Sequence, residues 1–439
     1  MSTHRRPART STLVIFLCAV GTLGSVACSV SSDRGEITAL SSKGRHVEHV
    51  LSTGVDQVTD WNQIAHANMA TATGFAPETH TLAIMHAAMF DAVNDIERDY
   101  EVYAVDLTAP GGSSPEAAAV AAAHKVLVTL IPASTAAFDA ARATSLAAIP
   151  DGQAKTDGIA HGVAVATAML ALRSSDAVVS VPFVPVSHAP GIFDVTGVNS
   201  QWGDMAPFAL HSVDQYMGEG PYALTSPEYA ADFNEVKSLG RATSTTRSAD
   251  QTHAALWWVE NSNFTWNRIA RIAAAARGNS LNENARLFAL LNIATADAII
   301  TGFRTKYTYL FWRPIKAIAR ANEDDNSATD ADPTWVPLAV TPAHPDYVSN
   351  HGIYSAAAAE VLADFFGDDF SFSTSTSSAV PANSMRSFGS FSAAATECGE
   401  SRIWLGYHTR KAVEDGLNSG RQIGHFTFEH IARVKHGND

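Results

Sequence analysis

Three short segments of the 439-residue chain hold the residue types that oxyanion chemistry needs. The first, KYTYLFWRP, places Arg313 seven residues after Lys306, a spacing that predicts two turns of one helix with both cations on one face. In the second, TPAHPDYVSNHGIYSAAAAEVLADFF, Ser349-Asn350-His351-Gly352 leads into an alanine-rich helical pattern, so a hydroxyl and an imidazole stand where first-turn N–H groups lack partners. The third, SRIWLGYH, contributes Ser401, Arg402 and His408. A helix N-terminus, two planar guanidinium forks and a lysine ammonium suit the oxygens of a tetrahedral anion. One histidine can then bond the central atom while the other moves protons. Taken singly, each signal has a plainer reading: a solvated Lys/Arg face, a serine cap, an interior histidine.

Together the segments resemble the active-site signature shared by vanadium-dependent haloperoxidases, type 2 phosphatidic acid phosphatases and bacterial acid phosphatases. Lys306 with Arg313-Pro314, Ser349 with His351, and Ser401-Arg402 with His408 match at three spacings at once. The segments DWNQIAHANMATATG and LAIMHAAMFDAVNDIERDYEVY are similar to the N-terminal helices of the bacterial haloperoxidase branch, extending the likeness over most of residues 58–435. The resemblance implies an all-α, helical-bundle fold and a vanadate cofactor, with phosphate competing for the same donors. It assigns His408 as the metal ligand, or as the nucleophile toward phosphorus. It assigns Lys306, Arg313 and Arg402 to the anion's oxygens, Ser349 and the Asn350 amide to hydrogen bonds, and His351 to acid/base work. His344, in the feeding loop, occupies a place where relatives carry a histidine or an aromatic, which implies proton transfer or halide placement.

The chain departs from the family pattern at named positions. Asn350 replaces a glycine, Val348 a proline, and Phe303 stands where a tryptophan is frequent. The aspartate that orients the last histidine in many relatives is Ala412 here, leaving Glu414 or Asp415 as substitutes. The leading expectation is a vanadate-dependent haloperoxidase that oxidises iodide or bromide with hydrogen peroxide and passes the halogen to a small organic acceptor. The alternatives are a phosphomonoester hydrolase using the same pocket, and an oxyanion-binding protein that has lost turnover through the changes at Asn350 and Ala412.

Helices must position these groups. Ser114-Pro115-Glu116 and Ser226-Pro227-Glu228 are cap-plus-proline starts, and Ser280 with Glu283 forms a capping box before LNENARLFALLNIATADAII, a helix expected to end at Gly302. Loops are expected at about 175–222 and 322–348, and the Ser/Thr-rich stretch at 368–384 as an exposed loop. SVPFVPV carries prolines that argue against a strand. His86 with Asp91 and Asp95 lacks metal spacing and reads as buried structure. Trp257, Trp258, Phe264 and Trp266 read as core packing ahead of a substrate wall.

Residues 1–27 have the form of a secretory signal peptide: Arg5, Arg6 and Arg9, an apolar run from Leu13 to Leu23, and small residues up to Ala27. Cleavage there would leave Cys28 first, open to a lipid anchor, so the expected location is secreted or periplasmic, with tethering through Cys28 as an option. A polar segment, 28–57, then precedes one catalytic domain, 58–439. No later stretch reads as a membrane span. After residue 27 the chain carries 27 basic against 44 acidic residues, a net charge of −17 that disfavours nucleic acid. Three cysteines in all are too few for a disulfide framework.

Overall fold

Helix packing is driven here by alanine and glycine. The computed structural model describes residues 56–69, 74–176, 179, 181–378 and 383–435, so the proposed signal segment and Cys28 lie outside the described residues. Within them the helices are α1 (Gln57–Met69), α2 (Phe75–Glu97), α3 (Pro115–Leu130), α4 (Thr135–Ala147), α5 (Gln153–Leu172), α6 (Pro227–Leu239), α7 (Ala249–Trp257), α8 (Ser262–Arg277), α9 (Leu281–Tyr309), α10 (Pro314–Ala319), α11 (Asn350–Phe366), α12 (Phe391–Trp404) and α13 (Arg410–His430). An antiparallel hairpin, β1 (Phe372–Ser375) with β2 (Met385–Phe388), is the sheet among them. The all-α expectation holds, and the hairpin corrects the reading of 368–384 as loop alone. Alternating burial along β1 supplies the missing driving force, since Phe372 and Thr374 face inward while Ser373 faces solvent.

The three serine starts cap as expected: Ser114, Ser226 and Ser280 accept from the N–H groups of Ala117, Tyr229 and Glu283. Gly302, however, does not end its helix. α9 runs on to Tyr309, stopping at Leu310 in a left-handed conformation whose N–H bonds to Lys306 O. Burial along almost its whole length outweighs the weak helix propensity of one glycine. α9 is also long and apolar enough to cross a membrane, contrary to expectation, but that apolar window is wholly enclosed by the other helices.

Two helix pairs pack tightly, α3 with α5 against α2, which itself packs on α9, and α11 with α13 directly against α9. Each pairs an alanine-rich helix with a glycine-striped one. A Cβ built on Gly158 or Gly162 would lie 2.3 or 2.2 Å from the carbonyls of Ser114 or Ala118, and one on Gly420 would lie 2.2 Å from Ile353 O. The second pair matters for function because it fixes the start of α11 against the start of α13, next to His408. Gly420→Ala is therefore expected to destabilise the protein by about 1–3 kcal/mol through overpacking. Thermal melts should show this loss, and none for Gly389→Ala, where an added Cβ meets nothing within 4 Å.

Candidate active site

Lys306 and Arg313 reach the same place by different routes. Lys306 projects from the last turn of α9, whereas Arg313 follows the helix end as the N-cap residue of α10, so the expected shared helix face does not exist. The turn at Leu310–Trp312 carries Arg313 back toward the lysine. Lys306 is fully buried, and its Nζ donates to the carbonyls of Pro345 (2.7 Å) and Asp346 (2.9 Å). Arg313 donates from Nε to His344 O (2.6 Å) and from one Nη to Tyr407 O (2.8 Å). Arg402, on α12, donates to Trp258 O and to the Ser401 hydroxyl, both at 2.8 Å. All three cations are buried, and among the described residues none has a carboxylate salt-bridge partner.

Ser349 caps α11, its Oγ accepting from Gly352 N at 3.2 Å, while its own N–H donates to Ala412 O. The hydroxyl proton stays available as a donor, as do the first-turn N–H groups of Asn350 and His351. Asn350 directs its Oδ1 toward Gly302 of α9, where a Cβ would stand only 2.7 Å away; that oxygen has no hydrogen-bond partner. The Asn350 side chain is thus housed against a glycine on the neighbouring helix.

His408 is held from both sides. Its Nδ1 lies 2.6 Å from Asp346 Oδ1, and its Nε2 lies 3.1 Å from an Arg313 Nη. A carboxylate accepts only and a guanidinium donates only, so the proton resides on Nδ1 and Nε2 presents its lone pair. The second oxygen of Asp346 accepts from the Thr409 hydroxyl at 2.9 Å. Asp346 is therefore the orienting acid, which corrects the expectation of Glu414 or Asp415. Glu414 pairs instead with Arg410, and Asp415 with Lys411 and the Tyr347 hydroxyl. The signal in the sequence was a lone acid in the feeding loop, five residues before His351.

His351 stacks on Phe75, with ring centroids 6.4 Å apart, and its Nε2 is buried without a partner. His344 accepts at Nδ1 from Arg313 Nη2 (2.9 Å) and packs edge-on against Phe303. Burial first, and then the nearby cations, push His344, His351 and His408 well below the ordinary imidazole range. Lys306 falls well below its usual value for the same reasons, and burial lowers Arg313 to about 10. Asp346 rises to about 6, because burial outweighs the pull of Arg313 and Lys306. Each of the three imidazoles feels both Lys306 and Arg313, so one field covers the whole cluster.

All eight predicted site residues thus gather in one region. The other candidates are structural. His86 Nε2 meets Asn62 Nδ2 at 2.9 Å, Asp91 accepts from the N–H groups of Tyr103, Ala104 and Val105, and Asp95 accepts from Leu107 N. Trp257, Trp258 and Trp266 are core, with Phe264 partly buried beside His66. Phe75 and Asp346 are the site residues that the sequence reading missed.

Residues 286–437 match the family model described as the VCPO second helical-bundle domain. A vanadium chloroperoxidase of Curvularia inaequalis is 26% identical over 192 residues, 36% of this chain, and the match spans about a third of that relative (31%). The fold is similar to the crystal structure of the first bacterial vanadium-dependent iodoperoxidase (TM-score 0.75, 24% identity, 87% of this chain and 98% of that one). It is also similar to a holo-type bacterial vanadium-dependent chloroperoxidase (TM-score 0.65, 14% identity, 88% and 98%).

Asp346→Asn tests the orienting acid. An amide can present its NH₂ to Nδ1 and favour the wrong tautomer, so vanadate affinity, read by isothermal titration, is expected to fall roughly 10–100-fold. Asn350→Gly is expected to retain affinity in the same titration, because the main-chain donors remain and Oδ1 packs toward Gly302.

Proposed function

We propose that this chain, a member of the vanadium haloperoxidase superfamily, holds vanadate at the cluster around His408 and oxidises iodide or bromide with hydrogen peroxide. One observation carries the reading: three cations are buried with no carboxylate salt bridge among the described residues, and the acid that acts on Lys306 and Arg313 is the buried Asp346. An uncompensated excess of buried positive charge is costly, and an anion of several oxygens removes that cost.

The residues present fit vanadate. The His408 lone pair at Nε2 suits a metal centre, and its Nδ1–H bond to Asp346 raises the basicity of the ring. Lys306, Arg313 and Arg402 suit the oxygens, with the Ser349 hydroxyl and the first-turn N–H groups completing the donor set. Bound vanadate supplies Lewis-acid activation of hydrogen peroxide toward halide, without a change of oxidation state.

The remaining work belongs to side chains. His351, kept neutral by burial and the neighbouring cations, accepts a proton at Nε2 from incoming hydrogen peroxide and returns it to the departing oxygen. The Phe75 ring lies parallel to that imidazole. To His344, which accepts from Arg313, we assign the direction of the halide. The orienting acid supplied by Asp346 answers the loss at Ala412 and speaks against a site without turnover.

Protein freed of oxyanion is expected to gain iodide oxidation on addition of vanadate and peroxide, followed as triiodide absorbance, with phosphate suppressing it competitively. Brisk phosphomonoester hydrolysis by the vanadate-free protein, with no triiodide after reconstitution, would give the site to the phosphatase reading. His408→Ala should abolish vanadate retention, whereas His351→Ala should retain vanadate and slow turnover.

A further inference from the structure

The β1–β2 hairpin grips both segments that hold Arg402. At the end of α7, successive carbonyls need partners outside the helix. The hydroxyls of Ser378 and Thr376, just beyond β1, donate to Leu256 O (2.8 Å) and Trp257 O (2.9 Å). Trp258 O is left to Arg402 Nη2 at 2.8 Å, which sets that guanidinium at the negative end of α7. From the α12 side, Glu397 accepts from the Trp258 indole Nε1 (2.9 Å) and from Nε of Arg386 (2.7 Å), a residue of β2. Hairpin, α7 and α12 therefore meet around Trp258.

Glu260 secures this meeting point. It lies in the corner between α7 and α8 with its side chain buried. Its Oε1 accepts from Ser377 N (2.7 Å) and Arg268 Nη1 (3.0 Å), and its Oε2 from Arg268 Nη2 (2.5 Å) and the Thr265 hydroxyl. Burial opposes the charge on Glu260, but Arg268 and the other donors hold it below the ordinary carboxylate range. Arg268 reaches onward to the hairpin, donating to Thr374 Oγ1 (3.0 Å) and Ser375 O (2.5 Å). A two-pronged, charge-assisted bridge thus ties the corner to the strand whose following residues hold Leu256 and Trp257.

The same corner governs one edge of Arg402. Its Nε and Nη2 donate to Ser401 Oγ at 2.9 and 2.8 Å, and Nη2 also to Trp258 O, while among the described residues Nη1 takes no hydrogen bond. The free edge is the one left for an anion. We propose that Glu260 is a positioning residue for the oxyanion cluster: by locking the α7–α8 corner to the hairpin it keeps Trp258 O on Arg402 and so fixes the aim of that free edge. This rests on the vanadate reading above. A long side chain loses rotamer freedom when it takes hold of an anion, and a fork already held on one edge has less to lose.

The test is isothermal titration of vanadate into oxyanion-free protein and its variants. Glu260 is replaced rather than Arg268 because the arginine left behind is 22% exposed, against 0% for Glu260, and no unpaired charge is then sealed in the core. Glu260→Ala is expected to weaken vanadate binding about tenfold. In an Arg402→Ala background, where Lys306 and Arg313 still hold the anion, the same substitution should change affinity by less than about twofold, because it acts through the missing guanidinium. A merely structural role would give equal losses in both backgrounds. If Glu260→Ala loses its cooperative melt, the isosteric Glu260→Gln enters the same cycle with the same expectation, since its amide turns a donor toward other donors. Unchanged affinity in a normally melting variant, or equal losses in both backgrounds, would overturn the proposal. A parent protein that binds no vanadate would instead sink the reading on which it rests, and the proposal with it.

Discussion

Everything around the site answers to one electrostatic constraint, the burial of Lys306, Arg313 and Arg402 without a carboxylate salt bridge among the described residues, Asp346 acting on the first two. Burial strips hydration from all three and depresses Lys306, Arg313 and Arg402 below their usual values, and the nearby Arg313 charge lowers Lys306 further. Main-chain carbonyls offset part of that cost. Pro345, Asp346, His344, Tyr407 and Trp258 each offer an oxygen to one of the three. Carbonyl dipoles hold a cation in place without neutralising it, so the positive field survives for a bound anion.

That arrangement demands a rigid frame, because misplaced donors would repel without binding. The frame is the α11–α13 pair, where Gly416, Gly420 and Gly424 let one backbone lie against the other. Ser349 N donates to Ala412 O across this contact, joining the start of the anion-binding helix to the start of the helix that follows His408. Ala412 thus contributes its carbonyl to the frame. Asp346, on the loop leading into α11, holds His408 from the other direction. A carboxylate from a segment remote in sequence thus fixes the tautomer of the imidazole.

Some of this was legible before any folding. Caps at Ser114, Ser226 and Ser280 are local events, decided by a hydroxyl and the N–H group three residues on, so the sequence displays them directly. The site residues were legible because their spacings match a family signature at three places together. The hairpin of β1 and β2 was not, since Ser/Thr-rich composition hides the inward-facing Phe372 and Phe388 that pay for pairing. Nor was the length of α9, where enclosure by neighbouring helices overrides Gly302.

The sequence by itself determined which groups could hold an oxyanion and that helices would carry them, because residue chemistry and short-range capping depend on neighbours in the chain. Only the tertiary structure decided how they meet. Arg313 reaches Lys306 through a turn rather than along a helix face, and Asp346, 62 residues away in sequence, orients His408. Asn350 fits because Gly302 on another helix leaves room for it. Those outcomes depend on distances between segments remote in sequence, set by how closely glycine and alanine allow the helices to pack.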